Sequence, residues 1–164
     1  MQYIGYYSSP LGKITLASNG NELIGLWFEG QKYFGSTLNE EYKQKSLPVF
    51  EQTAKWLDVY FSGQNPNFTP PLYLSSTQFR NEVWKILLAI PYGSVITYGG
   101  IADIMAKKRG AENMSAQAIG GAVGHNPISI IVPCHRVMGK NGSLTGYAGG
   151  VDIKEKLLKI ENAL

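Results

Sequence analysis

At 164 residues, with 44% hydrophobic and 12% aromatic side chains, the chain is long enough for one domain or two small ones with packed cores. A single cysteine excludes an internal disulfide framework and fits a reducing compartment; with two histidines and one thiol no zinc-finger spacing can be written, so no metal site is expected. The formal charge of +3 is uneven, because residues 1–76 carry five Lys/Arg against six Asp/Glu while residues 77–164 carry ten against six. A basic second half points weakly to a polyanionic partner and is by itself more often a solvated face. The opening Met1-Gln2-Tyr3-Ile4-Gly5 lacks the charged region and apolar stretch of a signal peptide, and no run approaches membrane-spanning length. A soluble, cytoplasmic protein without a membrane partner is expected.

Residues 1–76 read as a small α/β unit. Tyr3–Tyr7 leads into the turn signal Ser9-Pro10-Leu11-Gly12. Ile14–Ala17 follows, then Asn19-Gly20, a strong hairpin signal, and Leu23–Phe28. Residues 30–45 are polar with no clear period. A helix is predicted from about Pro48 to Phe61, with Phe50, Ala54, Leu57 and Phe61 on one stripe, Ser46 as cap and Gly63 after its end. Residues 65–71 hold three prolines and read as the connection to a second unit.

Residues 77–164 read as mainly helical. Thr77 can cap a helix through Phe79, Val83, Ile86, Leu87 and Ile90, closed by Pro91-Tyr92-Gly93. Thr97 can cap a shorter one that ends in Lys107-Lys108-Arg109 and Gly110. Ser115 can cap a third, Ala116 to Val123. Two short helices with a tight glycine-containing connection have the pattern of a helix-turn-helix. Gly120-Gly121 lies inside the third helix at a cost of about 1 kcal/mol per glycine relative to alanine, which suits a close neighbour: either another helix or a nucleic-acid backbone. Ile128-Ser129-Ile130-Ile131-Val132 reads as a buried strand, and a last helix is predicted from Asp152, with Glu155 completing an acidic capping box.

The lone cysteine, Cys134, follows that apolar run in Pro133-Cys134-His135-Arg136-Val137. A cysteine titrates near about pH 8.5, so little is thiolate at neutrality unless a neighbour intervenes. The adjacent His135 makes Cys134 a candidate nucleophile. A lone Cys-His pair is nevertheless more often an inert core thiol beside an unrelated imidazole.

The surrounding segments change that balance. Pro91-Tyr92-Gly93, Ile96-Thr97-Tyr98, Ala118–Ala122, Asn126-Pro127, Ile131–Val137, Gly146–Gly150, Lys154–Leu158 and Glu161 occur in this order over about residues 77–162. Together they resemble the methylated-DNA–protein-cysteine methyltransferases, the O6-alkylguanine-DNA alkyltransferase family. The resemblance implies a small ribonuclease-H-like α/β domain followed by a helical domain with a helix-turn-helix. It also implies a monomer that acts on double-stranded DNA containing O6-alkylguanine, without cofactor or obligate protein partner. Such a protein extrudes the base and moves its alkyl group irreversibly onto its own cysteine, acting once.

On this chain the resemblance makes Cys134 the acceptor and His135 the base that takes the thiol proton. Glu161 would support His135, Asn126 would brace the cysteine segment, and Tyr98 would donate to guanine N3. Backbone groups of Val137 and Ala148 would read the base edge, and Tyr147 would line the pocket. Ser115, Ala116, Gln117, Gly120 and Gly121 would face the minor groove, with Lys107, Lys108 and Arg109 touching phosphates. These residue types suit the chemistry: displacement at an alkyl carbon calls for a soft nucleophile, its base needs an orienting acceptor, and the departing purine needs a donor. Extrusion is required because the alkylated oxygen is out of reach inside the stack. Three other readings stay open: a non-catalytic sensor of alkylated DNA, a Cys-His acyl hydrolase, and a helix-turn-helix regulator. The presence of Cys134 argues against the sensor.

Two positions depart from the family pattern. Ala148 stands where serine is common, which is harmless if the backbone amide makes the contact. Gln117 stands where an arginine commonly fills the place of the extruded base. Glutamine offers an amide but neither cationic attraction nor a stacking plane, so weaker DNA binding than in an arginine-bearing relative is expected. Gln117→Arg is predicted to tighten binding to alkylated duplex in a titration at fixed salt; unchanged affinity would rule out an insertion role.

Overall fold

The first hairpin forms where Ser9 and Gly12 pair across the Pro10-Leu11 turn, joining β1 (Gln2–Ser9) to β2 (Gly12–Ser18) in antiparallel register. The computed structural model describes all residues, Met1–Leu164. The Asn19–Glu22 turn returns the chain as β3 (Leu23–Phe28), antiparallel to β2 with a register shift at Ala17/Ser18. From Ile14 onward β2 is buried on both faces, and so is all of β3, which is why Leu23–Phe28 reads as a continuous apolar run. Gly25 is fixed by packing: a Cβ there would stand 2.1 Å from the Trp27 ring.

Residues 30–45, aperiodic in the sequence, hold the short strand β4 (Tyr42–Gln44), which pairs parallel with β1 and completes the sheet order β3-β2-β1-β4. Helix α1 (Pro48–Phe61) follows. Its buried face is Val49, Phe50, Thr53, Trp56, Leu57 and Tyr60, not the predicted stripe of Phe50, Ala54, Leu57 and Phe61, because Trp56 and Tyr60 stack toward the core. Ser46 does not cap it. Leu47 is the N-cap, without a side-chain bond, and Pro48 takes the first turn, where a missing N–H costs nothing.

The second unit contains α2 (Gln78–Leu88), β5 (Ile96–Thr97), α3 (Tyr98–Arg109), α4 (Ala116–Gly124), β6 (Val137–Met138) and α5 (Val151–Ile160). Thr77, Thr97 and Ser115 cap α2, α3 and α4 by accepting from the backbone N–H three residues on. Helix α5 starts at Gly150, whose φ of 99° suits glycine, so the predicted capping box at Asp152 is not used. β5 and β6 pair in parallel through Ile96–Val137 and Thr97–Met138. No helix is long and apolar enough to cross a membrane.

A division at residues 76/77 is not quite what the fold shows. The first unit is residues 1–74 together with 127–131, and the second is residues 75–126 and 132–164. Residues 127–131 join the first unit because the Leu26 N–H donates to the Pro127 carbonyl at 2.9 Å and the Ser129 N–H donates to the Leu26 carbonyl at 3.0 Å. Farther along the same edge, Leu23 exchanges bonds with Pro71 and Tyr73, so both segments cover the exposed side of β3.

The predicted strand at 128–132 is therefore a single bridge, Leu26 to Ile128, followed by tight turns. The Ile131 N–H reaches the Ser129 carbonyl at 2.8 Å around Ile130, whose φ is 70°, a rare conformation for a β-branched side chain. The Cys134 N–H reaches the Val132 carbonyl at 2.8 Å around Pro133, an inverse γ-turn. Apolar periodicity cannot separate such a buried irregular segment from a strand.

Candidate active site

Cys134 opens a one-turn 3-10 helix, Cys134–Arg136, and the inverse γ-turn at Pro133 fixes its backbone. The thiol is buried, 5% exposed. Asn126, just beyond α4, donates its side-chain amide to the Val132 carbonyl at 2.8 Å and hydrogen-bonds the thiol. One amide thus braces both the turn before Cys134 and its sulfur. Burial pushes the thiol pKa up to about 11, against the opposing pull of Asn126, of the Lys154 ammonium and of the residue's own backbone amide. In the resting protein the sulfur is protonated.

At the next residue, a carboxylate holds the imidazole. His135 Nε2 lies 2.6 Å from Glu161 Oε2, both side chains fully buried. Glu161 also accepts from Arg136 Nε at 2.8 Å, Arg136 Nη2 at 3.2 Å and the Gly93 N–H at 3.0 Å. Arg136 Nη1 donates to the Ile90 carbonyl at 2.7 Å, and its guanidinium lies 5.8 Å from the centre of the Tyr92 ring. This accounts for Pro91-Tyr92-Gly93: Gly93, at φ 81°, turns its N–H toward the carboxylate while Tyr92 faces the arginine. Burial lowers the His135 pKa, with Glu161 opposing and Arg136 and Lys154 assisting. The imidazole is neutral, and with Nε2–H directed at Glu161 its lone pair sits on Nδ1.

Tyr98 is the first residue of α3, and its hydroxyl donates to the Thr145 carbonyl at 3.2 Å. Burial raises its pKa, with the Cys134 charge adding to the effect, so the phenol keeps its proton and remains a donor. Tyr147 is buried and Ala148 half-buried in the adjoining loop; the Val137 N–H donates back to the Cys134 carbonyl. The structure therefore brings Cys134, His135, Glu161, Asn126, Tyr98 and Val137 together in the second unit, with Tyr147 and Ala148 two and three residues beyond Thr145, whose carbonyl receives the Tyr98 hydroxyl.

The residues on and beside α4 form a separate face. Ala116, Gln117, Ala118 and Gly121 are exposed and Gly120 is half-buried. A Cβ at Gly120, Gly121 or Gly124 would meet nothing within 4 Å, so no neighbouring helix explains these glycines. Lys107 and Lys108 are exposed at the end of α3. Arg109 differs from them: it is paired with Glu82 through Nη2 at 2.9 Å and Nε at 3.2 Å and lies over the Phe79 ring. It ties α3 to α2, and its charge is largely answered within the fold.

Residues 78–163 match the DNA-binding domain of the 6-O-methylguanine DNA methyltransferases, and residues 2–74 match the ribonuclease-like domain of the same family. The chain belongs to this family. It is 39% identical over 160 residues to the methylated-DNA–protein-cysteine methyltransferase of Haemophilus influenzae, covering 97% of this chain and 86% of that one. The protein of the same name from Mycobacterium tuberculosis is 43% identical over 155 residues, covering 94% and 89%. The crystal structure of Mycobacterium tuberculosis OGT in complex with DNA superposes with a TM-score of 0.85 at 40% identity, over 98% of this chain and 93% of that one.

Two members of this methyltransferase site were not singled out in the sequence. Arg136 locks the carboxylate that holds His135, and a signal was present in its position directly after the Cys-His pair. Lys154 is fully buried, its ammonium donating to the carbonyls of Val137 and Thr145. Its signal was a lysine on the buried stripe of an amphipathic helix, in line with Leu157, Leu158 and Glu161 at helical spacing.

The raised thiol pKa has a measurable consequence. Only thiolate reacts with iodoacetamide, so the rate of alkylation of the sole cysteine should climb about tenfold per pH unit through pH 8.5 and continue upward, whereas the urea-unfolded chain should level off near about pH 8.5. A folded-state plateau at or below pH 8.5 would contradict the protonated resting sulfur.

Proposed function

We propose that this protein repairs DNA by moving the alkyl group of O6-alkylguanine irreversibly onto Cys134. The observation that carries the reading is the bracing of the chain's only thiol by Asn126 beside a neutral imidazole whose other nitrogen is held by a locked carboxylate. The thiol proton passes to His135, and Glu161 stabilises the resulting imidazolium. Sulfur attacks the alkyl carbon, an S–C bond forms as the C–O6 bond breaks, and guanine leaves as its anion, which is then protonated at the expense of the proton held on His135. The Tyr98 hydroxyl, kept protonated, donates toward the purine as negative charge develops on it. The sulfur ends as a thioether, which nothing in this scheme reverses, so each molecule acts once and needs no cofactor.

Substrate access follows from α4. Its exposed face is small and uncharged, and its glycines lower helix stability with no internal packing to explain them. A helix of that profile permits close approach of a DNA backbone and minor groove, with Lys107 and Lys108 placed to meet phosphates. Extruding a guanine costs a few kcal/mol, less when its pairing is already damaged. The unpaired thiol suits the reducing cytoplasm, and residence there as a monomer belongs to this proposal.

Incubation with duplex DNA carrying a radiolabelled methyl at guanine O6 tests the reading. One label per protein molecule on Cys134, abolished by Cys134→Ser, is expected. An absence of label would favour a sensor or regulator, and turnover of esters or amides would favour a hydrolase. A second outcome concerns the helix: Gly120→Ala and Gly121→Ala should each stabilise the protein in urea by up to about 1 kcal/mol, yet weaken binding to alkylated duplex. Stabilisation with undiminished binding would remove the helix from the DNA contact.

A further inference from the structure

Lys154 is the one buried cation of the site that lacks a carboxylate. Arg136 is answered by Glu161, whose oxygens are shared with His135 and Gly93. The Lys154 ammonium, on a side chain with no exposure, has only neutral partners: the Val137 carbonyl and, at 2.9 Å, the Thr145 carbonyl. A buried charge without a counter-charge is unfavourable, and a lysine in such a place ordinarily gives up its proton. Burial does pull the Lys154 pKa down to about 8, so below that pH it is an ammonium whose hydrogens are held by two carbonyl oxygens that only accept. The groups facing it are few. Cys134 and His135 lie on the 3-10 turn, and each is coupled electrostatically to Lys154. Tyr98, on α3, presents its ring 5.9 Å from Nζ. Among these only the Cys134 sulfur acquires a negative charge in the proposed reaction.

We infer that Lys154 is a positioning residue whose ammonium serves as the counter-charge of the Cys134 thiolate, an inference that rests on Cys134 being the alkyl acceptor. It acts in two ways. Its charge favours ionised sulfur and disfavours a protonated His135, which keeps the base available until the thiol gives up its proton. Its hydrogen bonds join β6, directly after the acceptor turn, to the loop before α5, and the Thr145 carbonyl it binds is the same one that receives the Tyr98 hydroxyl. One ammonium therefore orders the nucleophile's field and the donor's resting place. Formation of the thioether removes the anion and leaves the ammonium without a partner of opposite charge.

Because the chain has one cysteine, thiol alkylation reads this site alone. In the folded Lys154→Met protein the iodoacetamide rate below about pH 8, where Lys154 is still charged, should fall about tenfold, and the wild-type and variant curves should converge above that pH. Lys154→Arg should restore most of the lost rate. A merely structural role predicts an unchanged rate, or faster reaction at every pH if the pocket loosens; either result overturns the inference. Should the methionine variant not fold, Lys154→Gln replaces it and should slow alkylation in the same pH range, and an unchanged rate overturns the inference equally. Iodoacetamide titration needs no DNA, so failure there counts against Lys154 alone, whereas failure of label transfer counts against the acceptor role of Cys134.

Discussion

The Glu161 carboxylate is the point to which the acceptor site is tied. It lies just past the end of α5 and receives an imidazole, two guanidinium donors and a backbone N–H, so every strong acceptor direction it has is used. A buried carboxylate satisfied in this way does not rotate, and the groups bound to it inherit its orientation. His135 is held with its lone pair on Nδ1. Arg136, gripping the same carboxylate and the Ile90 carbonyl, fastens the acceptor turn to the end of α2. The arrangement also sets a balance, since Glu161 makes His135 a better base while Arg136 and Lys154 make it a poorer one.

Around that anchor the thiol is governed by opposing effects of different reach. Desolvation is the largest and keeps sulfur protonated; the Asn126 bond and the Lys154 charge oppose it. Bracing by Asn126 links this balance to α4, because the residue stands two positions past the end of that helix and its amide holds the γ-turn that delivers Cys134. The helix carrying the unpacked glycines and the turn carrying Cys134 are thus separated by one hydrogen-bonded side chain.

Much of this was legible in the sequence wherever the determining contacts are local. Thr77, Thr97 and Ser115 cap their helices because the partner N–H lies three residues away, and the Ser9–Gly12 and Asn19–Glu22 turns needed no distant information. Features set by distant partners were not legible. Strand β4 exists only because β1 offers an edge. Residues 127–131 look like a strand of the second half until Leu26 claims them, and α1 shows its true face only through Trp56 and Tyr60. The Cys-His-Glu core stood out by motif, but Lys154 did not. A buried lysine held by two carbonyls is recognised only when those carbonyls, nine and seventeen residues back in the chain, are seen to converge.

The protonated resting sulfur bears on how such a molecule survives until it is needed. Peroxide and other cellular oxidants attack thiolate far faster than thiol, and the first product, a sulfenic acid, would end the usefulness of a protein that works a single time. By withholding the negative charge in the resting protein, the burial of Cys134 spares its sulfur from idle oxidation. Desolvation that slows the thiol in the empty protein is, in that sense, its shelf life.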